Sequence, residues 1–164
     1  MAPDYTSNSP KGLASIGRPF WQASRGNRVS EHILVVEDSP LVQRLLAVCL
    51  RDLGRPVRGM LDGPSALEDM AADPPAMVIL DIGLPGMDGW ELLRRMRLDP
   101  QCARLPVLVL TAHAQEECRL EADRRGADGF MTKPFEPDAL RAAVGRLLGD
   151  RTGAESACPA PGRA

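Results

Sequence analysis

The spacing of apolar residues changes repeatedly along the chain from about residue 31 onward. Three short apolar runs, at residues 33–36, 76–80 and 106–110, and two weaker ones, at 56–60 and 129–132, predict five strands. After each run, apolar residues recur at helical spacing and predict five helices, beginning near residues 40, 63, 88, 114 and 136. Strands that alternate with helices in this way are typical of an α/β fold with a parallel sheet.

Topological rules narrow this α/β fold further. Right-handed crossovers between five parallel strands favour a flavodoxin-like (βα)5 fold in strand order 2-1-3-4-5, with helices on both faces. The run at 106–110 is apolar almost throughout, as expected for a strand covered on both faces. Pro56 begins the weaker second strand and predicts an edge position, because proline cannot donate to a ladder.

The predicted helices differ in how much apolar surface they offer. Ser39 and Asp88 are placed to cap the first and third helices, and Gly54 and Gly126 to end the first and fourth. The fourth helix is unusually polar, so we expect it to pack shallowly. The first helix is apolar at seven positions that we interpret as one buried stripe: Leu41, Val42, Leu45, Leu46, Val48, Cys49 and Leu50.

The two ends of the chain have a different composition from its centre. Residues 1–30 and 150–164 are rich in Pro, Gly, Ser and Ala and are predicted to be disordered or loosely attached tails around a folded domain at 31–149. Phe20-Trp21 is the exception, and is either part of the loose tail or an aromatic anchor that docks on this protein or a partner. Neither tail is long enough for an output domain, which needs about 50 residues.

Composition and charge exclude several classes of protein. A formal net charge of −2 and the lack of a basic cluster argue against nucleic-acid binding. No apolar stretch is long enough for a transmembrane helix or a signal-peptide core, so we expect no membrane partner and a cytoplasmic location. The four cysteines form no CxxC pair and are interpreted as reduced thiols.

Polar residues whose side chains can bind ions or take part in reactions stand at the ends of four of the five predicted strands. Glu37-Asp38, Asp81, Thr111 and Lys133 come at or directly after strand ends, so they should meet at the carboxyl edge of the sheet. Close carboxylates repel one another and need a counter-ion, and Mg²⁺ suits a set of oxygen ligands. Such a set can hold a phosphoryl group in transit, with an aspartate as the nucleophile.

The order and spacing of these motifs resemble the receiver domain of two-component response regulators. The resemblance covers about residues 31–149 and rests on Glu37-Asp38 after Ile-Leu-Val-Val, on Asp81-Ile-Gly-Leu-Pro-Gly-Met-Asp-Gly, on Leu-Thr111-Ala and on Lys133-Pro-Phe. It implies that Asp81 is the phosphoacceptor and that a histidine kinase or phosphotransfer protein is the donor. Glu37 in place of the more usual aspartate is a mild departure that still allows metal contact.

The resemblance also assigns roles to individual residues. It implies that Glu37, Asp38, Asp81 and the backbone carbonyl of Gly83 hold Mg²⁺, and that Thr111 and Lys133 contact the phosphoryl group. Thr111 and Phe130 would act as the switch, changing the surface formed by the fourth helix, fifth strand and fifth helix. The Lys133-Pro134 bond is expected to be cis, as it often is in the family. Gly83 and His113 flank the path of attacking water, and we expect them to set the phosphoryl lifetime.

The leading interpretation is therefore a single-domain signalling switch, not an enzyme acting on external substrates, with a partner protein as its unknown downstream target. A phosphorelay intermediate, a receiver fragment of a hybrid kinase and a homodimer remain open. A Mg²⁺-dependent phosphohydrolase of the haloacid dehalogenase type usually has a second aspartate where this chain has Gly83. A phosphorylation-independent interaction module is the remaining alternative.

Overall fold

Residues 30–149 are described by a computed structural model, which contains five strands and five α-helices. All neighbouring strands are parallel, and the sheet order is β2-β1-β3-β4-β5, which confirms the predicted fold and the edge position of β2. In chain order the elements are β1 Ile33–Val36, α1 Pro40–Leu50, β2 Val57–Met60, α2 Gly63–Ala72, β3 Met77–Asp81, α3 Gly89–Leu98, β4 Val107–Thr111, α4 Glu116–Arg124, β5 Gly129–Thr132 and α5 Pro137–Gly149.

The sheet separates two apolar layers. Alternate residues of a strand point to opposite faces, so Ile33 and Val35 pack with α1 and α5, whereas Leu34 and Val36 pack with α2 and α3. The central strands β1, β3 and β4 are buried along their whole length. Burial on both faces explains why their sequences are continuous apolar runs and not alternating ones.

The predicted helix boundaries depend on side-chain caps and glycines. Ser39 caps α1 by accepting a hydrogen bond from the Val42 amide, and Asp88 caps α3 by accepting one from the Glu91 amide, at 2.8 Å. A single 3-10 turn, Arg51–Leu53, follows α1 before Gly54 reverses the chain with a φ of 67°. The caps are therefore as predicted, and α1 ends one turn earlier than its terminating glycine suggests.

The buried stripe of α1 is narrower than predicted. Only Leu46, Cys49 and Leu50 are buried, while three of the predicted stripe residues are largely exposed: Leu41 (78%), Leu45 (50%) and Val48 (59%). A helix on one sheet face buries only the side that is turned towards the sheet, and these three residues lie outside that side. The sequence pattern overestimated burial because the apolar arc of α1 is wider than the side that the sheet covers.

The polar helix α4 packs shallowly, as predicted. Ala122 is its buried residue, and Leu120 is half exposed. The segment after α4 is held by Arg97 of α3, whose guanidinium donates to the carbonyls of Gly126 and Leu105. The small apolar contact of α4 with the rest of the domain leaves it easier to displace than α3.

Three cysteines of the described region are free: Cys49 and Cys102 are buried, and Cys118 is half-buried. Burial raises the pKa of the Cys102 thiol to about 11, and nearby Asp99 acts in the same direction, so that thiol stays protonated. Cys158 and the Phe20-Trp21 pair lie outside the described residues. Within residues 30–149, no helix is both long and apolar enough to cross a membrane.

Candidate functional site

The parallel register aligns the carboxyl ends of the central strands. Val36 pairs with Leu80, so Glu37 and Asp81 follow neighbouring positions on β1 and β3. Thr111 pairs with Thr132 at the ends of β4 and β5, which puts Lys133 one residue beyond. The same edge of the sheet therefore carries every polar side chain that the sequence predicts there.

Three carboxyl groups lie together at this edge. Oxygen atoms of Glu37, Asp38 and Asp81 all lie within 4.8 Å of one another. Glu37 and Asp81 are buried, with 2% and 7% of their surfaces exposed, whereas Asp38 is exposed. Ionised carboxylates this close together repel one another electrostatically, so the cluster needs a cation nearby to remain ionised.

Lys133 supplies one such cation directly. Its Nζ lies 2.5 Å from Glu37 Oε2 and 2.9 Å from Asp81 Oδ2, so a single ammonium donates to both buried acids. Burial alone would lower the pKa of Lys133, but its hydrogen bonds to Glu37 and Asp81 outweigh that effect and raise it. Lys133 therefore stays charged at neutral pH.

Two opposing effects act on the pKa of the buried Glu37 carboxyl group. Burial raises the pKa of its carboxyl group, and the hydrogen bond from Lys133 offsets only part of this increase. Its other oxygen, Oε1, accepts a hydrogen bond from the Ser39 amide at 3.3 Å. Keeping Glu37 ionised therefore costs free energy, because its carboxylate is removed from water, and a cation bound to it would lower that cost.

Both oxygens of Asp81 have defined partners. Oδ1 accepts from the Gly83 amide at 3.1 Å, and Oδ2 accepts from Lys133. A Cβ added to Gly83 would lie 3.8 Å from each Asp81 oxygen, in ordinary contact. Gly83 therefore leaves open the space beside an oriented carboxylate.

Thr111 and Phe130 differ in burial. Thr111 is 2% exposed, and its Oγ1 accepts a hydrogen bond from the His113 amide at 3.1 Å. Phe130 is half-buried against the core cluster beneath α2, α3 and α4. The His113 side chain, by contrast, is exposed.

The Lys133-Pro134 peptide bond, which follows β5, is cis, as expected.

Two supporting residues were not identified from the sequence. Gln43 of α1 donates from its side chain to backbone carbonyls at the ends of β1 and β2, and no sequence motif marks it. Gly89 begins α3 directly beneath Asp81, where an added Cβ would lie 2.4 Å from the Asp81 carbonyl oxygen. The glycine that ends the Pro/Gly loop was a usable signal for that close approach.

Residues 33–145 match the family model described as the response regulator receiver domain. The chain belongs to the response regulator receiver family. Receiver domains are two-component signalling proteins and use Mg²⁺. The oxygen ligands of Glu37, Asp38 and Asp81 fit such a hard cation.

Several named proteins are similar to this receiver domain. It is 34% identical to the chemotaxis protein CheY-3 of Vibrio cholerae over 117 residues, which are 71% of this chain and 90% of CheY-3. It is 34% identical over 116 residues to the DNA-binding dual master transcriptional regulator RpaA of Synechocystis, covering 71% of this chain and 48% of RpaA. It is 37% identical over 119 residues to the response regulator PleD of Caulobacter vibrioides, covering 73% of this chain and 26% of PleD.

Solved structures agree with the fold. A putative response regulator from Chloroflexus aurantiacus is 34% identical, with a TM-score of 0.70 over 73% of this chain and 98% of that one. The chemotaxis protein CheY4 of Vibrio cholerae is 29% identical, with a TM-score of 0.67 over 73% of this chain and 99% of CheY4. The chain spans about half or less of RpaA and PleD, and nearly all of the CheY proteins.

Proposed function

We propose that Asp81 accepts a phosphoryl group from a phosphohistidine on a histidine kinase or phosphotransfer protein. The observation that carries the proposal is the oriented Asp81 carboxylate, with Gly83 N–H on one oxygen and Lys133 on the other. An Asp81 oxygen forms the new bond to phosphorus while the donor's P–N bond breaks, and the electron pair leaves on the imidazole. Residues 31–149 are proposed as the functional unit.

The other residues of the edge stabilise charge around phosphorus. Lys133, which stays protonated, neutralises a phosphoryl oxygen, and the Thr111 hydroxyl donates a hydrogen bond to another. Glu37, Asp38, Asp81 and the Gly83 carbonyl would hold Mg²⁺. When bound, that ion supplies positive charge against the developing phosphoryl oxygens.

Phosphorylation is proposed to act as a switch. A phosphoryl group adds about 1.5–2 negative charges beside Asp81, and Thr111 moves towards it. Phe130, half-buried next to the core, fills the space that Thr111 leaves. The weak packing of α4 supports a change in the surface of α4, β5 and α5, since few contacts are lost when α4 shifts.

The output of the switch is proposed to be a change in protein binding in the cytoplasm, without nucleic-acid or membrane partners. The chain matches 90% of CheY-3 but only part of PleD and RpaA, so a single-domain regulator is proposed as the first form and a receiver within a larger regulator as the second. A phosphorelay intermediate or a hybrid-kinase receiver would use the same Asp81 chemistry. A homodimer is also compatible with this surface.

Two other classes are less well supported. A phosphohydrolase needs a second acid/base carboxylate beside its nucleophile, and the open space there belongs to Gly83. A phosphorylation-independent interaction module does not require two buried acids, Glu37 and Asp81, that share the ammonium of Lys133. Both alternatives predict no stable phosphorylated form of the protein.

The test is to incubate the protein with Mg²⁺ and acetyl phosphate and to follow its intact mass. A phosphate-sized gain that disappears in Asp81→Asn supports the proposal, and decay of the gain measures the lifetime. An unchanged mass, with no binding of beryllofluoride either, would contradict it and favour the interaction module. Rapid release of inorganic phosphate without mass gain would favour the phosphohydrolase.

A further inference from the structure

Gln43 of α1 joins the ends of two strands below the acidic cluster. Its Nε2 donates to the carbonyl of Glu37 and to the carbonyl of Met60, each at 2.8 Å. The Met60 carbonyl also accepts from the Glu37 amide at 3.0 Å. Both the amide and the carbonyl of Glu37 are therefore fixed, the first by the sheet and the second by Gln43.

The edge strand β2 is adapted to this arrangement. A Cβ added to Gly59 would lie 2.3 Å from Gln43 Oε1 and 2.7 Å from its carboxamide carbon. Any larger residue at position 59 would therefore displace the carboxamide. Gly59 has no positive φ that would require glycine, so the close approach of Gln43 is the physical reason for glycine there.

The fixed backbone matters because the acid at this position is a glutamate. Its side chain has one more rotatable bond than an aspartate, and ordering that bond costs conformational entropy. The two Glu37 oxygens reach Lys133 and the Ser39 amide in this structure. A shift of the Glu37 backbone would move the carboxylate relative to Asp38 and Asp81, with which it forms the oxygen cluster.

We propose that Gln43 is a positioning residue for metal binding, and that Gly59 makes room for it. The proposal rests on the proposed function, because it assigns the acidic cluster to Mg²⁺. Gln43 acts through the backbone of Glu37, since its side chain donates to the carbonyls of Glu37 and Met60 and not to Asp81. Groups that orient metal ligands are typically worth about 10–100-fold in metal affinity, so we expect about tenfold for Gln43→Ala.

The test measures Mg²⁺ affinity by titration calorimetry of the unphosphorylated protein, well below the unfolding temperature of every variant. Gln43→Ala keeps a strong helix former in α1 and should weaken Mg²⁺ binding by about tenfold. Gly59→Ala should weaken it too, because the new Cβ displaces the carboxamide. The double variant should match Gln43→Ala within about twofold, since the clash is gone once the carboxamide is removed.

Cys49→Ala is the matched control. Cys49 is buried in the same helix and packs with Leu46 and Leu50 in the apolar layer that α1 shares with α5, so its truncation lowers stability without removing a hydrogen bond to Glu37. Unchanged Mg²⁺ affinity in Gln43→Ala, or an equal loss in Cys49→Ala, would reduce Gln43 to a stability role and overturn the inference. Strictly additive losses in the double variant would also overturn it.

These outcomes are separable from failure of the proposed function. If the unsubstituted protein bound no Mg²⁺ in the titration, the metal assignment and the role of Gln43 would both be wrong. If it bound Mg²⁺ and was phosphorylated on Asp81 but Gln43→Ala behaved identically, only the positioning role would be wrong.

Discussion

Lys133 Nζ lies 2.5 Å from Glu37 Oε2, across 96 positions of sequence, and the same ammonium contacts Asp81 at 2.9 Å. Within residues 30–149, Lys133 is the only cationic side chain that donates to these two buried acids. It directly follows β5, an edge strand of the sheet. This ammonium has two separable effects. It offsets carboxylate repulsion in the metal-free protein, and it is proposed to neutralise the incoming phosphoryl group.

Lys133→Met should separate these two effects. Without the ammonium, the buried acids repel one another, and we expect the metal-free protein to lose about 3 kcal/mol of unfolding free energy. Mg²⁺ should restore most of that loss, because the more negative cluster binds the ion at least as tightly as before. Phosphorylation by acetyl phosphate should nevertheless slow by about 10–100-fold. Thermal unfolding with and without Mg²⁺ and intact-mass kinetics measure the two effects.

Arg146→Met is the control for Lys133→Met. Arg146 is an exposed residue of α5, so its replacement makes the same charge change away from the acidic cluster. It should alter neither phosphorylation nor the effect of Mg²⁺ on stability. Weaker Mg²⁺ binding in Lys133→Met would contradict the electrostatic account.

Gly83→Leu should lengthen the phosphoryl lifetime. An added Cβ meets both Asp81 oxygens at an ordinary 3.8 Å, and the backbone has no positive φ, so the substitution should be tolerated. The larger side chain would cover the approach of water to phosphorus, and we expect dephosphorylation about three- to tenfold slower, or about 0.7–1.4 kcal/mol in barrier. Decay of the phosphorylated mass after removal of acetyl phosphate gives the rate.

Gly145→Ala provides a comparison for that experiment. Gly145 is in α5, and apart from the adjoining residues and backbone of its own helix no atom lies within 4 Å of a Cβ added there. This variant should leave the decay rate unchanged and raise stability modestly, because alanine favours the helix. Equal decay rates in Gly83→Leu and the unsubstituted protein would refute the role given to Gly83.

Gly89→Ala should be strongly destabilising, in contrast to Gly83→Leu. The new Cβ would come 2.4 Å from the Asp81 carbonyl oxygen and 2.7 Å from Ile82 Cα, which are backbone atoms that cannot rotate away. We expect a loss of about 2–3 kcal/mol, by analogy with overpacked cores, and a displaced Asp81. Denaturant unfolding measures the loss. A variant as stable as the unsubstituted protein would show that α3 can shift freely under Asp81.

His32 should make stability depend on pH. It is buried directly before β1. Three charged side chains surround it: Arg58 of β2, Asp69 of α2, and Asp73 at the C-cap of α2. Burial, reinforced by the Arg58 charge, lowers the pKa of His32 from 6.5, although the two aspartates oppose this. Between the folded pKa and 6.5, His32 is therefore more often protonated in the unfolded chain than in the folded one. The free energy of unfolding falls as the pH drops from above 6.5 through this window.

The measurement compares unfolding free energies at about pH 7.5 and about pH 5 for the unsubstituted protein and His32→Gln. The acidic loss should be smaller in His32→Gln, because glutamine does not titrate. Any constant cost of the substitution cancels in this difference. An equal loss in both proteins would assign the pH dependence to other groups.

The sequence was most informative where function depends on strand ends. Asp81 is the last residue of β3 and Lys133 directly follows β5, and the parallel topology alone brings such strand ends to one edge. Contacts that depend on how a helix is rotated were not predictable. The donation from Gln43 to two carbonyls requires one rotation of α1, and the same rotation exposes Leu41 and Leu45. An apolar arc that is wider than the contact with the sheet does not specify which part of it is buried.

Thr111→Val tests the proposed switch separately from phosphorylation. Valine matches threonine in shape and suits a buried strand end, but it removes the hydroxyl that accepts from His113 and would turn towards the phosphoryl group. Asp81 should still bind beryllofluoride in the presence of Mg²⁺. Amide NMR shifts near Asp81 should therefore persist, while those in α4, β5 and α5 should shrink to less than about half. Thr132→Val, at the paired position on β5, is the control and should keep both sets of shifts. Full-sized shifts in α4 with Thr111→Val would mean that the signal reaches that surface without the hydroxyl, and that another contact links Asp81 to α4.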